Sequence, residues 1–236
     1  MKRLMLMSAA ALLFAACNKD NTTTPGGSGN GTSSNVSFAL KAANPSATVT
    51  QKTTTGAAIR WTSGFAYPSM VKFEAKQITS AGVENEVEYK ATNTARIDLF
   101  APVAPLFGNF TLPAGTYNEV ELKLQLGAAD TTPALQLSGN FTNSTGTTTP
   151  VTFRINEPLE LKTETHNVTI DSARAFDAIT VMDLAGLTSD IREAQLQNAQ
   201  LTNGALVISS SSNSNLYGAI LNSLRNRRHH SEINHH

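Results

Sequence analysis

The sequence predicts a mainly β protein, an antiparallel β-sandwich with a small C-terminal helical appendage. About ten short segments alternate apolar with polar residues, a period that puts one set of side chains in a core and the other in water. Gly, Pro, Asn and Thr turns separate these segments, and no pattern of helical length interrupts them before residue 173. Such spacing is typical of antiparallel sheets packed face to face and argues against a doubly wound α/β fold.

The composition excludes several classes of function. The 236 residues carry 18 basic and 18 acidic side chains, so the formal net charge is zero. A nucleic-acid-binding protein would show a basic excess or stripe, so we expect no nucleic-acid partner. The single Cys, Cys17, excludes a disulfide framework and a Cys-rich metal site. With 40% hydrophobic residues, the chain is able to bury a core.

Residues 1–16 are predicted to be a signal peptide. Lys2 and Arg3 precede an apolar run, residues 4–14, that is too short for a spanning helix of about 20 residues. The motif Phe14-Ala15-Ala16-Cys17 resembles the lipobox of bacterial lipoproteins, with Phe14 where Leu is usual. The resemblance implies that Cys17 carries palmitate or a similar acyl chain and becomes the N-terminus. An ordinary cleaved signal followed by an unmodified Cys is the alternative.

Residues 17–35 are predicted to be the lipidated Cys and a flexible tether. Asn18-Lys19-Asp20 resembles the export signals that send some Bacteroidetes lipoproteins to the outer face of the outer membrane. That resemblance implies display at the cell surface, with the periplasmic face of the membrane as the alternative. Residues 21–35 contain no large apolar side chain, so they can bury nothing to offset the entropy of ordering.

The sandwich itself is predicted over residues 36–172. Within it, Leu112-Pro113-Ala114-Gly115-Thr116-Tyr117 resembles the L-P-x-G-x-Y turn of bacterial lipoprotein domains of unknown function. The resemblance implies a β-sandwich and no assigned chemistry, and similar turns also occur in other secreted β-sandwiches. Strands are predicted around residues 36–40, 58–61, 71–75, 87–89, 97–99, 120–126, 135–137, 151–155, 159–161 and 168–170.

Residues 173–228 are predicted to be a helical appendage with one short strand. The spacing of Phe176, Ile179, Met182 and Leu187 is roughly helical. Residues 188–190 are predicted to cap a helix that runs through Ile191, Leu196 and Leu201, and residues 205–208 a strand. A final helix is predicted to bury one face, formed by Leu216, Ile220, Leu221 and Leu224. Residues 229–236 are predicted to be a solvated His-rich tail.

Candidate chemical sites are few. His229, His230, His235 and His236 offer imidazoles that suit Zn, Cu or Ni, but a flexible tail fixes no geometry, so we expect no metal and no cofactor. Glu84, Glu86 and Glu88 share one strand face, as do Glu119 and Glu121, at spacings of roughly 7 Å that some glycosidases use. These faces oppose the apolar ones, so we expect the carboxylates to lie in water, where a general acid gains no raised pKa.

Aromatic and hydroxyl side chains give the remaining candidates. Trp61, Tyr67 and Tyr89 are candidates for a sugar-stacking surface, although a lone Trp in a strand more often belongs to the core. Residues 130–132 and 171–173 resemble the Asp-Ser/Thr sites that are O-glycosylated in Bacteroidetes.

The sequence therefore predicts a non-catalytic cell-envelope lipoprotein, a structural or binding module held on a membrane by its lipid. A carbohydrate-binding or adhesin module is the alternative, and a secreted hydrolase is the third hypothesis. The expected partners are the membrane and a glycan or an envelope protein.

Overall fold

The structure is a computed structural model that describes residues 33–48, 57–78, 82–92, 95–104, 106–127, 132–227 and 229–235. Its strands are β1 (Ser33–Ala43), β2 (Ser46–Thr48), β3 (Ala58–Ala66), β4 (Pro68–Ile78), β5 (Glu84–Thr92), β6 (Ile97–Asp98), β7 (Leu106–Pro113), β8 (Gly115–Leu126), β9 (Leu135–Thr142), β10 (Thr148–Ile155), β11 (Leu159–Ile170), β12 (Phe176–Asp183), β13 (Leu201–Thr202), β14 (Ala205–Ile208) and β15 (His229–His235). Its helices are α1 (Leu184–Leu187), α2 (Glu193–Gln197) and α3 (Ser214–Arg227).

The described strands form three sheets, which confirms the predicted mainly β, sandwich-like fold. One sheet has the order β15-β12-β1-β7, and another has the order β11-β8-β4-β5. The third has the order β13-β14-β10-β9-β3-β2, with β6 also paired to β3. Most pairs are antiparallel, as predicted, but β1 pairs with β12 and β10 pairs with β14 in parallel. Parallel partners need a long crossover between them, so local alternation could not predict these two pairs.

The predicted helical spacing after residue 173 is wrong, because Phe176–Asp183 forms strand β12. This strand lies between β1 and β15, and side chains on both of its faces are buried. A strand buried on both faces reads as a continuous apolar run without a period of two, and such a run can imitate helical spacing. The β-branched run Ile179-Thr180-Val181 favours the strand.

The helices that follow match the prediction in part. The final helix is confirmed as α3, and its residues Leu216, Ile220, Leu221 and Leu224 are all buried. The capped helix is only the short α2, and Leu201 lies in β13 instead. The short predicted strand is β14. Among the described helices, none combines the length and apolar character that crossing a bilayer requires.

The predicted solvated tail is also corrected, since residues 229–235 form strand β15. It pairs with β12 over seven residues, from Met182 opposite His229 to Phe176 opposite His235. A Lys41–Glu232 ion pair of 2.8 Å joins it across β12 to β1. The sequence His-His-Ser-Glu-Ile-Asn-His has a single large apolar residue, Ile233, so alternation gave no strand signal.

One hydrophobic core joins the predicted sandwich region to the C-terminal region. Trp61, Phe73 and Leu124 belong to the same buried cluster as Leu206 and Ile220. Because β12 and β15 complete one sheet and β14 extends another, the segment after residue 172 contributes strands to the sandwich as well as the short C-terminal helices.

The L-P-x-G-x-Y turn joins β7 to β8 and is fastened by its tyrosine. Tyr117 is 1% exposed, and its hydroxyl donates a hydrogen bond of 2.8 Å to the carbonyl oxygen of Pro113. Burial raises the pKa of Tyr117 to about 12, so the hydroxyl stays protonated and able to donate. The first residue of β1, Ser33, pairs with Pro113, so the chain enters the sandwich beside this turn.

Candidate functional site

One face of the sheet β11-β8-β4-β5 carries charged side chains in rows of like sign. The strand register sets four lysines side by side across the sheet and four glutamates side by side in the next row. The lysine row is Lys90, Lys72, Lys123 and Lys162, and the glutamate row is Glu88, Glu74, Glu121 and Glu164. We call these eight residues the banded face. A mixed row follows beyond the glutamates: Glu86, Lys76, Glu119 and His166.

The banded face is unusual because like charges directly opposite each other destabilise a strand pair. Alternating the charges across the sheet would have avoided this repulsion. The rows lie about 7 Å apart, the distance between residues i and i+2 of a strand, and Lys72, Lys123 and Lys162 meet opposite charge along or diagonally across the strands. The face reaches the surface at both edges, where the side chains of Glu88 and Lys162 are 52% and 47% exposed.

Ion pairs connect the two rows into one network across all four strands. Lys72 is hydrogen-bonded to Glu74 and lies 3.6 Å from Glu88. Lys123 lies 3.5 Å from Glu74 and also contacts Glu121. Hydrogen bonds to glutamates raise the pKa values of Lys72, Lys123 and Lys162, so these lysines stay charged at neutral pH. The face therefore presents a positive band beside a negative band.

Glu121 lies at the centre of the network and is 7% exposed. The expectation that this carboxylate lies in water is therefore wrong. Lys123 pairs with one of its oxygens and Lys162 with the other, and β8 is a central strand. Burial opposes ionisation of Glu121, but the hydrogen bonds from the two lysines outweigh it and lower its pKa to about 2.

This electrostatic setting disfavours acid catalysis at Glu121. A general acid in a glycosidase needs a raised pKa, and the pKa of Glu121 moves the other way. Two groups of three carboxylates have oxygens within 4.8 Å of one another, Glu74 with Glu86 and Glu88, and Glu119 with Glu121 and Glu164. Lysines contact members of both groups. The structure therefore sets positive charge beside both groups of carboxylates.

The structure does not bring the three candidate aromatic residues together as a sugar-stacking surface. Trp61 in β3 is 1% exposed, so its ring lies in the core. Tyr67 is half-buried, and its ring meets that of Phe65 edge-on at 5.7 Å. Tyr89 in β5 is half-buried and stacks on Phe110 at 4.7 Å, beneath the charged face.

The candidate metal-binding histidines are placed by strand β15. His229 and His230 are neighbours in a strand, so their side chains point to opposite faces. The ring nitrogens of His229 lie 3.1 Å from the carbonyl oxygen of Leu224 and 2.6 Å from that of Lys162. These contacts occupy the nitrogens that would bind a metal. His235 ends the strand, and His236 lies outside the described residues.

Other predicted sites fall partly outside the described chain. Cys17 and residues 130–131 lie outside it, so lipidation and the first glycosylation motif stay predictions. In the second motif, the backbone N–H of Ala173 donates to the carboxylate of Asp171 at 2.9 Å in an exposed turn.

The lysines of the banded face were not among the predicted site residues, although the chain carries a signal for them. Each of the four strands has a Lys and a Glu two residues apart: Lys72 and Glu74, Glu88 and Lys90, Glu121 and Lys123, and Lys162 and Glu164. Their order alternates as the strand direction alternates, which is what antiparallel neighbours need to align like charges. The recurring spacing predicts rows once the strands are known to be neighbours.

Comparison with known proteins gave no match, whether with family models, with curated proteins or with solved structures.

Proposed function

We propose that this chain is a non-catalytic cell-envelope lipoprotein, a structural or binding module held on a membrane by a lipid on Cys17. The observation that carries the proposal is the position of Cys17, directly after an apolar run and two alanines. Residues 18–32 contain no large apolar side chain, and the first strand begins at Ser33. A buried acyl chain contributes roughly 0.8 kcal/mol per CH₂, so several chains would hold the protein without a spanning helix.

Features of the fold favour a binding or structural module over an enzyme. The banded face is broad and charged, and its most buried carboxylate, Glu121, is kept ionised by lysines. Of the aromatic candidates, Trp61 lies in the core, and the rings of Tyr67 and Tyr89 pack against neighbouring Phe rings. We therefore place the binding role on the banded face and favour a charged partner over a stacked sugar.

The proposal is tested by cell fractionation and surface digestion. The wild-type protein is expected in the outer-membrane fraction, and the Cys17→Ser variant is expected in the soluble fraction. Proteinase K added to intact cells is expected to digest the wild-type protein, which would place the sandwich outside. Membrane attachment of the Cys17→Ser variant would contradict the lipid anchor, and protection from the protease until the outer membrane is opened would move the module to the periplasmic face.

A further inference from the structure

We propose that the banded face is where two copies of this chain meet. The two copies would be related by a two-fold axis that runs across the strands, between the lysine row and the glutamate row. This inference does not depend on the lipid anchor, because it concerns the folded sandwich alone.

Symmetry makes the banded face complementary to itself. A two-fold rotation about the proposed axis keeps each strand's place across the sheet and exchanges the two rows. Lys90 of one copy then lies over Glu88 of the other, and Lys162 lies over Glu164 in the same way. The same residues contact each other twice, as in any isologous dimer. A two-fold axis along the strands would instead stack lysines on lysines, so the bands select one orientation.

The repulsion between like charges within each row suggests that the rows serve an interaction with another molecule. Six directly opposed pairs of like charge occur across the four strands, and each such pair destabilises the sheet. Sequences break local rules of this kind mainly where function requires it. Both rows of the banded face meet opposite charge only on a surface with the same two rows, and another copy of the chain provides one.

The charge pattern favours a second copy over a long polyanion. A polyanion following the lysine row would run about 7 Å from the parallel glutamate row, and it would be repelled along its whole length. The second copy meets both rows with opposite charge. Such complementarity mainly fixes orientation and register, and it speeds association.

The size of the face predicts a weak dimer. Four strands at about 4.8 Å spacing and about eight residues of strand length give a surface on the order of 500 Å² per copy. Stable complexes bury about 800 Å² per partner, and charged groups must lose water before they pair. We therefore expect a dimer that forms at low salt and dissociates at about 1 M NaCl, where the Debye length falls to about 3 Å.

Charge reversal at the edge strand β5 tests the proposal. Lys90→Glu and Glu88→Lys each place like charges in both symmetric contacts, so each variant alone is expected to weaken self-association at least tenfold. A 1:1 mixture of the two variants restores both contacts as Glu over Lys, and it is expected to dimerise about as well as the wild type. Arg154→Glu is the control, because it makes the same charge change at an exposed position of β10, in another sheet.

The measurement is sedimentation velocity of the purified protein over a concentration series, at 20 mM and at 1 M NaCl. Circular dichroism checks that each variant is folded. The double variant, Lys90→Glu with Glu88→Lys, keeps the proposal testable if a single variant misfolds. That chain is expected to dimerise with itself but not with the wild type. A wild-type protein that stays monomeric at low salt would overturn the proposal. So would dimers that the reversals leave unchanged, or single variants that the mixture does not rescue.

Discussion

Glu121 is the residue on which the banded face depends most. Its carboxylate is buried, and lysines contact both of its oxygens. Because its folded pKa is lowered to about 2, its stabilising effect is complete above about pH 4.5, the ordinary Glu pKa. The effect is lost as the pH falls from there toward 2. The face thus couples the stability of the sheet to the charge of one glutamate.

We expect Glu121→Gln to lower the free energy of unfolding at pH 7 by about 1–3 kcal/mol, since two lysines lose their shared carboxylate. Urea unfolding at pH 7 and at pH 3 measures this, and the difference from the wild type should shrink at pH 3. Glu164→Gln is the matched control, because its side chain is 40% exposed, and it should cost less than about 0.5 kcal/mol. Equal losses for the two variants would contradict the central position of Glu121.

Gly139 is a second residue whose role is set by close contact. A Cβ there would lie 2.2 Å from the carbonyl oxygen of Arg60 and 2.8 Å from the Cα of Trp61, beside an irregular step in the pairing of β3 with β9. Those backbone atoms cannot move without shifting the strand that carries the core Trp.

Gly139→Ala is therefore expected to lower the free energy of unfolding by about 2 kcal/mol or more. Gly218→Ala is the control, since a Cβ at this exposed position in α3 meets nothing within 4 Å. The control should stabilise the protein by about 0.5–1 kcal/mol through helix propensity. Thermal unfolding measures both, and a harmless Gly139→Ala would show that β3 and β9 are less closely packed than these distances indicate.

At the scale of elements, the C-terminal helix and strand complete the sandwich. Leu216, Ile220 and Leu224 of α3 belong to the main core, and fully burying such a side chain contributes about 1.5–3 kcal/mol. Removing α3 would expose to water the core surface that these three side chains cover.

We expect a chain ended after Ser214 to lose cooperative unfolding. A chain ended after Arg227 keeps α3 and lacks only β15, so it should stay folded with a lower melting temperature. Differential scanning calorimetry separates the two outcomes. If the shorter chain melted like the full one, α3 would have to serve a partner instead of the core.

The sequence pattern predicted the strands in which apolar and polar residues alternate. It failed for strands whose burial depends on the elements packed against them. The strands around Val71, Leu122 and Phe153 were predicted because one face is apolar and the other polar. β12 is buried on both faces, and β7 carries Gly108 and Asn109 in its middle, so neither showed that alternation. The banded face had a repeated Lys–Glu spacing in its sequence, but only the register of four strands turns that spacing into rows.

At the scale of the whole molecule, the first described strand begins close to the charged sheet. The chain enters the sandwich at Ser33 beside Pro113, and Gly115, two residues after Pro113, begins β8, a central strand of the charged sheet. The proposed two-fold axis reverses the strand direction between copies, so the Ser33 ends of a dimer would point in opposite directions.

The most direct test of the lipoprotein proposal is the mass of the N-terminal peptide of the protein purified from cell membranes. We expect a peptide that begins at Cys17 and carries the added mass of acyl chains, with residues 1–16 removed. A peptide that begins elsewhere, or one with an unmodified Cys17, would contradict the lipoprotein proposal.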